Sequence, residues 1–162
     1  MKYRRLHPEE LEALREDFIQ FLASNSITAE DWVQIKSVQQ EKATQLLEIF
    51  ADIVWEKVLE KVTHLEFRSP NQLTLMKFDD EKAEMINIKI ENKDFDLSNS
   101  DNLKEIAEGK TPLKSLHPEI TKGKKKHNKL REMEVFYYME QGGKPCSKDL
   151  WESSFIQSIV ES

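Results

Sequence analysis

The sequence has little cysteine, glycine or proline. Its 162 residues include one cysteine, four glycines and five prolines. The single cysteine, Cys146, excludes an internal disulfide and any metal site that needs two thiolates, and it fits a reducing compartment. So few glycines and prolines argue against low-complexity tails and against a turn-rich all-β fold. The composition, 38% hydrophobic and 33% charged, is typical of a soluble globular chain.

Long apolar runs are also missing. No window approaches the roughly 18 consecutive apolar residues of a membrane span. The basic start of the chain meets Glu9 and Glu10 instead of an apolar run, so no signal peptide is predicted. We therefore expect a cytoplasmic protein without membrane contact.

Acidic residues are nearly absent from one segment, residues 110–131. It holds eight lysines and arginines against one acid, Glu119, which gives a formal charge of +7. The remaining residues then carry −13, because the whole chain has a formal charge of −6. This separation predicts two surfaces with different partners, one of them polyanionic.

Helical spacing dominates the first 62 residues. Apolar residues predict a helix that starts at Pro8, a second one capped by Thr28, and a third from Glu41 to Val62. The period then changes to two, and three short strands follow at residues 65–67, 73–78 and 85–90. Adjacent strands with short links indicate a three-stranded antiparallel meander.

The second half is predicted to be mainly helical. Ser98 could cap a weak helix that ends at Gly109, and the prolines and glycine of residues 110–123 indicate a loop. Helices over 125–141 and 147–160, separated by Gly142-Gly143, predict a helical hairpin. The expected fold is α+β, with N-terminal helices packed on the meander. Its expected parts are a core over 1–109, a basic loop over 110–123 and a C-terminal helical hairpin over 124–162.

Three sequence segments carry a resemblance to a known family. They are Met1-Lys-Tyr-Arg-Arg-Leu6, Ser26-Ile-Thr-Ala-Glu-Asp-Trp32 and Trp55-Glu-Lys-Val-Leu-Glu-Lys-Val62, the last followed by Leu65-Glu66. The chain resembles a family of small uncharacterised cytosolic proteins from Bacteroidota bacteria, over most of its length. The resemblance implies a bacterial cytoplasmic origin and carries over no catalytic residue.

Two groups of residues resemble catalytic sites. Asp79, Asp80, Glu91 and Lys93 are similar to the carboxylates and lysine of metal-dependent nucleases, where carboxylates hold Mg²⁺. The alternative places both aspartates in a hairpin turn and the other two residues on a solvated strand end. Cys146 could be a nucleophile assisted by His127, or a partly buried structural cysteine, which is favoured. We expect no catalytic residue, metal or cofactor, and keep the nuclease as an alternative.

Contact with a partner is the favoured function. Six basic residues are candidates for contact with phosphate or with an acidic partner: Lys122, Lys124, Lys125, Lys126, Lys129 and Arg131. Solvated lysines, or pairing with the chain's own acidic body, are the alternatives. Six apolar residues are candidates for a protein interface: Phe136, Tyr137, Met139, Trp151, Phe155 and Ile159.

The sequence therefore predicts a non-enzymatic, homodimeric adaptor that docks on a larger protein or ribonucleoprotein complex. Such a complex would be a bacterial nucleic-acid-processing or defence effector, because the charge separation suggests that it handles RNA or DNA. Direct, non-specific binding of nucleic acid through residues 122–131 is a further alternative.

Overall fold

The computed structural model describes all 162 residues as an α+β protein with eight α-helices and a five-stranded antiparallel sheet. The chain divides into two compact units, Met1–Leu59 and Glu60–Ser162. This division differs from the predicted parts, because the strands before residue 109 and the helices after residue 124 lie in one unit. None of the helices combines the length and the apolar character that a membrane span requires.

The first unit is helical. Its elements are α1 (Pro8–Ala13), α2 (Arg15–Ser24), α3 (Ala29–Val38) and most of α4 (Gln40–Lys61). The expected first helix is split at Leu14, whose ψ of 20° departs from helical geometry. Thr28 caps α3 as predicted, since its hydroxyl accepts a hydrogen bond from the Asp31 backbone N–H at 3.1 Å. The buried side chains of Phe18, Leu22 and Phe50 form a core between these helices.

The second unit is built on the sheet. Its strands are β1 (His64–Ser69), β2 (Gln72–Phe78), β3 (Lys82–Lys89), β4 (Glu119–Lys126) and β5 (Lys144–Pro145). Their order across the sheet is β4-β3-β2-β1-β5. The predicted three-stranded meander is therefore wrong, because a strand has been added on each side of it. β4 lies at one edge and the two-residue β5 lies at the other.

β4 replaces the last five residues of the predicted basic loop over 110–123 and the start of the predicted helix over 125–141. It pairs with β3 along its whole length, from Glu119 opposite Lys89 to Lys126 opposite Lys82. Its sequence has no apolar alternation, and most of its residues are exposed. The pairing with β3 therefore makes this segment a strand, and its own side-chain pattern does not.

The remaining helices lie on opposite faces of the sheet. They are α5 (Ser100–Ala107), α6 (Arg131–Glu140), α7 (Asp149–Glu152) and α8 (Ser154–Val160). Leu73, Leu75 and Ile86 share one face and a core with residues of α5, α7 and α8. α6 packs on the other face, where Tyr138 contacts Phe78. The predicted C-terminal hairpin is therefore wrong, since the sheet separates its two arms.

Candidate basic interface

The basic residues of the sequence form an exposed edge of the sheet. We call β4 together with residues 127–129 the basic edge. The side chains of Lys124 and Lys125 are 68% and 53% exposed. Lys126 and Lys129 are also exposed. The structure thus places these four lysines beside a strand edge that no other strand covers.

Two of the six predicted contact residues bind the chain itself. Lys122 donates a hydrogen bond to the Ile159 carbonyl at 3.1 Å and another to the Ser162 carbonyl, at the end of α8. Arg131 donates to the Val62 carbonyl and pairs with Glu132 at 3.4 Å. A cation near the last carbonyls of a helix stabilises it. The side chains of Lys122 and Arg131 therefore bind groups of the chain itself.

The other four lysines differ in how far acids neutralise them. Lys124 lies 3.4 Å from a Glu84 oxygen, and Lys125 lies 3.7 Å from a Glu134 oxygen. Both lysines are more than half exposed and both contacts are long, so these ion pairs contribute little to stability. Lys126 lies opposite Lys82, and neither it nor Lys129 has an acidic partner. The ammonium of Lys129 lies 5.9 Å from the centre of the Tyr137 ring.

A buried ion pair holds the end of the basic edge. His127 Nδ1 lies 2.6 Å from Glu134 Oε2, and Nε2 lies 2.8 Å from the Asp79 carbonyl oxygen. A carbonyl and an ionised carboxylate only accept, so this geometry fits a ring whose two nitrogens both donate, which is an imidazolium. Burial alone would lower the pKa of His127, but the bonds to Asp79 and Glu134 raise it. Burial would raise the pKa of Glu134, but His127 and the Asn128 N–H lower it.

Three of the predicted interface residues form an apolar stripe on α7 and α8 that lies inside the second unit. They are Trp151, Phe155 and Ile159. Trp151 and Ile159 are only 5% and 7% exposed and belong to the core on the α8 face of the sheet. Phe155 is partly buried and packs against the same core. Little of the stripe is exposed to another protein, because it already packs against the sheet.

The predicted interface residues of α6 are also largely covered. Phe136 and Met139 are partly buried, whereas Tyr137 is 51% exposed. The apolar side chains of α6 therefore lie partly against the sheet and are exposed to solvent at Tyr137. The structure therefore brings together Tyr137 and Lys129 from the two predicted sets, and separates both from the stripe on α8.

The residues of the nuclease alternative do not meet. Asp79 forms a turn, in which its carboxylate accepts hydrogen bonds from the N–H groups of Glu81 and Lys82 at 2.8 Å. Glu91 and Lys93 follow the other end of β3, an eight-residue strand of about 27 Å. Nowhere do three or more histidine, cysteine, aspartate or glutamate residues form a group that could hold a metal ion. The structure therefore does not bring the four residues of the nuclease hypothesis together at one site.

Cys146 is a structural residue of the β5 region. Its backbone N–H donates to the His64 carbonyl at 3.1 Å, which continues the pairing of β5 with β1. Burial, with Glu66 nearby, raises the pKa of its thiol to about 11. A thiol with a raised pKa is a poor nucleophile at neutral pH. His127 is occupied by Glu134 and Asp79, so it does not assist Cys146.

Sequence reasoning missed the strand character of the basic segment. One signal was present, since lysines on an edge strand oppose edge-to-edge aggregation, and the run Lys122 to Lys126 fits that pattern. It also missed the pair His127 and Glu134. Seven residues separate them, and only the turn after β4 brings them within hydrogen-bond distance.

Comparison with known proteins gives one match. No curated protein and no solved structure matches the chain. A family described as a family of unknown function (DUF6495) matches residues 1–160. That match spans both units and nearly the whole sequence, and it is consistent with the resemblance to an uncharacterised family. The chain therefore belongs to the family of unknown function DUF6495.

Proposed function

We propose that the protein is a non-enzymatic interaction module whose basic edge binds an extended acidic segment of a partner protein. The observation that carries this proposal is the position of β4, an eight-residue strand at the edge of the sheet with four lysines and one glutamate. In such binding, the partner segment adds a strand to the sheet, and its side chains supply specificity.

The backbone of β4 has groups available for a further strand. The His127 N–H donates to the Glu81 carbonyl at 3.0 Å, at the end of the β3–β4 ladder. Because an antiparallel ladder alternates, the odd-numbered residues of β4 bond to β3. The backbone groups of Ile120, Lys122, Lys124 and Lys126 then point away from the sheet. A partner strand can use all four positions.

The charge of the basic edge selects an acidic segment. Lys124 and Lys126 lie on one face of β4, and Lys125 lies on the other, since side chains alternate along a strand. A partner strand with carboxylates opposite these positions would form cross-strand ion pairs. The long contacts of Lys124 with Glu84 and of Lys125 with Glu134 are weak enough to exchange for such pairs.

A second copy of this chain fits the edge poorly. Pairing two β4 strands antiparallel would place lysines opposite lysines, and like charges directly opposite destabilise a sheet. A nucleic acid would contact the lysines but would leave the outward backbone groups of β4 without partners. We therefore propose that the partner of β4 is an acidic segment of a different protein. An accessory role on a nucleic-acid-processing complex stays a prediction of the charge pattern, as does a homodimer through another surface.

The test uses a synthetic ten-residue peptide of alternating glutamate and valine, with a lysine–valine peptide and a single-stranded oligothymidylate as comparisons. Binding to the full chain is followed by NMR at two salt concentrations. We expect saturable binding of the acidic peptide that weakens with salt. We also expect slower amide exchange at Ile120, Lys122, Lys124 and Lys126, because these N–H groups would become bonded.

Charge reversal in β4 supplies the control. The double substitution Lys124→Glu with Lys126→Glu should abolish peptide binding, whereas Lys110→Glu with Lys114→Glu, outside the strand, should preserve it. The proposal fails if the acidic peptide does not bind, or binds without protecting the outward amides. It also fails if the oligonucleotide binds more tightly than the peptide. If the acidic peptide does not bind, the lysines of β4 only protect an exposed sheet edge against aggregation.

A further inference from the structure

A cleft lies on the α6 face of the sheet, away from the outer edge of β4. Its volume is about 450 Å³, and it opens between β1–β3 and the C-terminal half of α6. Clefts of about 300–1,000 Å³ are the usual size for small-molecule ligands. The apolar lining consists of aromatic rings and thioethers, namely Phe67, Met76, Met85, Tyr137 and Tyr138.

The aromatic side chains of the cleft offer ring faces to a ligand. Tyr137 and Tyr138 are in edge contact, with ring centres 5.2 Å apart. Tyr138 also packs on Phe78, which holds its ring in place, while Tyr137 is half exposed at the rim. Methionines beside such rings adapt to flat ligands of different outline. This lining favours a planar, aromatic ligand.

A polar floor lies beneath the rings. The Gln72 side-chain N–H₂ donates to Asn87 Oδ1 at 2.8 Å, and the Thr74 hydroxyl donates to the same oxygen at 2.7 Å. Thr74 has thereby used its only proton, and Gln72 Oε1 has no hydrogen-bond partner. Because both residues line the cleft, their oxygens offer acceptors to a ligand. The floor therefore selects a ligand with N–H donors.

The cleft itself carries no free charge. Arg68 is its one charged lining residue. The guanidinium of Arg68 is occupied, by Glu66 at 2.8 Å and by the Ser100 hydroxyl at 3.1 Å. Positive charge is found at the rim instead, where Lys129 lies over the Tyr137 ring. A ligand with an uncharged ring and a phosphate fits this distribution of charge. The ring would lie in the cleft, and the phosphate would lie near Lys129 at the rim.

We propose that this cleft binds a nucleobase that carries an exocyclic amine. The ring stacks on Tyr137 and meets the nearly perpendicular ring of Tyr138 in an edge-to-face contact. Its amine donates to Thr74 Oγ1 and Gln72 Oε1. The base comes from a free nucleoside or nucleotide, or from an unpaired position of a single strand. These sources share the same base chemistry and differ in the phosphate that reaches Lys129. This site shares only Lys129 with the basic edge, and none of the residues that contact the base belongs to β4. Either proposal can therefore fail without the other.

The experiment measures binding to the full chain by calorimetry and by quenching of tyrosine fluorescence. The probes are adenosine, purine riboside, AMP and a short oligodeoxyadenylate. Purine riboside lacks only the amine of adenosine, so we expect it to bind about tenfold more weakly, the effect of one or two lost hydrogen bonds. Tighter binding of AMP than of the oligonucleotide identifies a free nucleotide as the source, and the reverse order identifies a single strand.

Two substitutions and their controls separate the parts of the cleft. Thr74→Val removes the hydroxyl and keeps the shape, so it should weaken adenosine about tenfold and leave purine riboside unchanged. Thr121→Val, on the same face of the sheet but outside the cleft, should change neither. Tyr137→Ala removes an exposed ring and should weaken every probe about tenfold, whereas Leu130→Ala, also exposed, should not. Absence of saturable binding by all probes at millimolar concentration overturns the proposal. So does unchanged adenosine affinity in both Thr74→Val and Tyr137→Ala.

Discussion

His127 shows how a single residue can tie three segments of the chain together. Its ring donates to Asp79 in the β2–β3 turn and to Glu134 on α6, while its own backbone N–H donates to Glu81. Glu134 also accepts a bond from the Asn128 N–H at 3.0 Å. Both side chains are buried, so the attraction between imidazolium and carboxylate is weakly screened by water. The end of β4 is positioned by this pair.

The pair makes stability depend on pH. The pKa of His127 is raised above its ordinary value of 6.5, so its contribution is complete below about pH 6.5 and is lost as the pH rises through the folded-state pKa. We expect the wild type to be more stable at pH 6 than at pH 8.5. Glu134→Gln should lower the unfolding free energy at pH 6 by about 2–3 kcal/mol, because it leaves a buried imidazolium without its counter-charge.

Urea unfolding at both pH values measures this effect. The substitution should also reduce the difference in stability between pH 6 and pH 8.5. Glu161→Gln, at an exposed acid of the same unit, serves as the control. It should leave the unfolding free energies at pH 6 and at pH 8.5 unchanged. An identical pH dependence in the wild type and in Glu134→Gln would contradict the role assigned to the pair.

At the scale of elements, β3 and β4 differ in whether their own sequence predicts a strand. The alternation of Ile86, Ile88 and Ile90 predicted β3, because buried and exposed positions alternate along a strand. Lys122 to Lys126 carries no such signal, since an edge strand in solvent buries little on either face. Its conformation comes from the ladder with β3, in which paired residues are 30 to 44 positions apart in the sequence.

The junction of α6 and β5 depends on a close approach at Gly143. A Cβ at this position would lie 2.8 Å from Phe67 Cζ and 2.9 Å from the Tyr138 carbonyl oxygen. The Gly143 N–H donates to that same carbonyl at 3.0 Å, so the oxygen is held in place. We expect Gly143→Ala to destabilise the protein by about 1–3 kcal/mol through overpacking.

Thermal or urea unfolding gives the measurement, and another glycine gives the control. At Gly123 in β4, an added Cβ would meet only Met85 Cε at 3.7 Å, an ordinary contact. Gly123→Ala should therefore change the stability by less than about 0.5 kcal/mol. Equal effects of the two substitutions would show that the contact with Phe67 and Tyr138 does not limit the packing there.

At the scale of the whole molecule, carboxylates with lowered pKa values lie in both units. Arg4 forms two hydrogen bonds of 2.9 Å with Glu10 and, with the His7 N–H, lowers the pKa of Glu10 to about 2. The N–H groups of Lys82 and Glu81 lower the pKa of Asp79. Such groups stabilise the fold above their unfolded values, near 4, and lose this contribution as the pH falls. Acid should therefore weaken both units.

We expect the urea midpoint, followed by circular dichroism, to fall between pH 4.5 and pH 2.5. Glu10→Gln should lower the midpoint at pH 7 and make the fall on acidification smaller, because the ionised form of Glu10 is the one that Arg4 binds. Glu9→Gln, at an exposed acid in the same turn, is the matched control. A wild-type midpoint that does not change between pH 4.5 and pH 2.5 would contradict this prediction.

The sequence by itself determined that the first unit is helical, except for the break at Leu14, and it located the first three strands of the sheet, because their apolar residues repeat with the period of the element they form. It also located the basic segment and excluded a disulfide. Only the tertiary structure decided that this segment is an edge strand, that the C-terminal helices lie on opposite faces of the sheet, and that His127 meets Glu134. The physical reason is that each of these features depends on contacts between distant segments, which leave no periodic trace in the sequence.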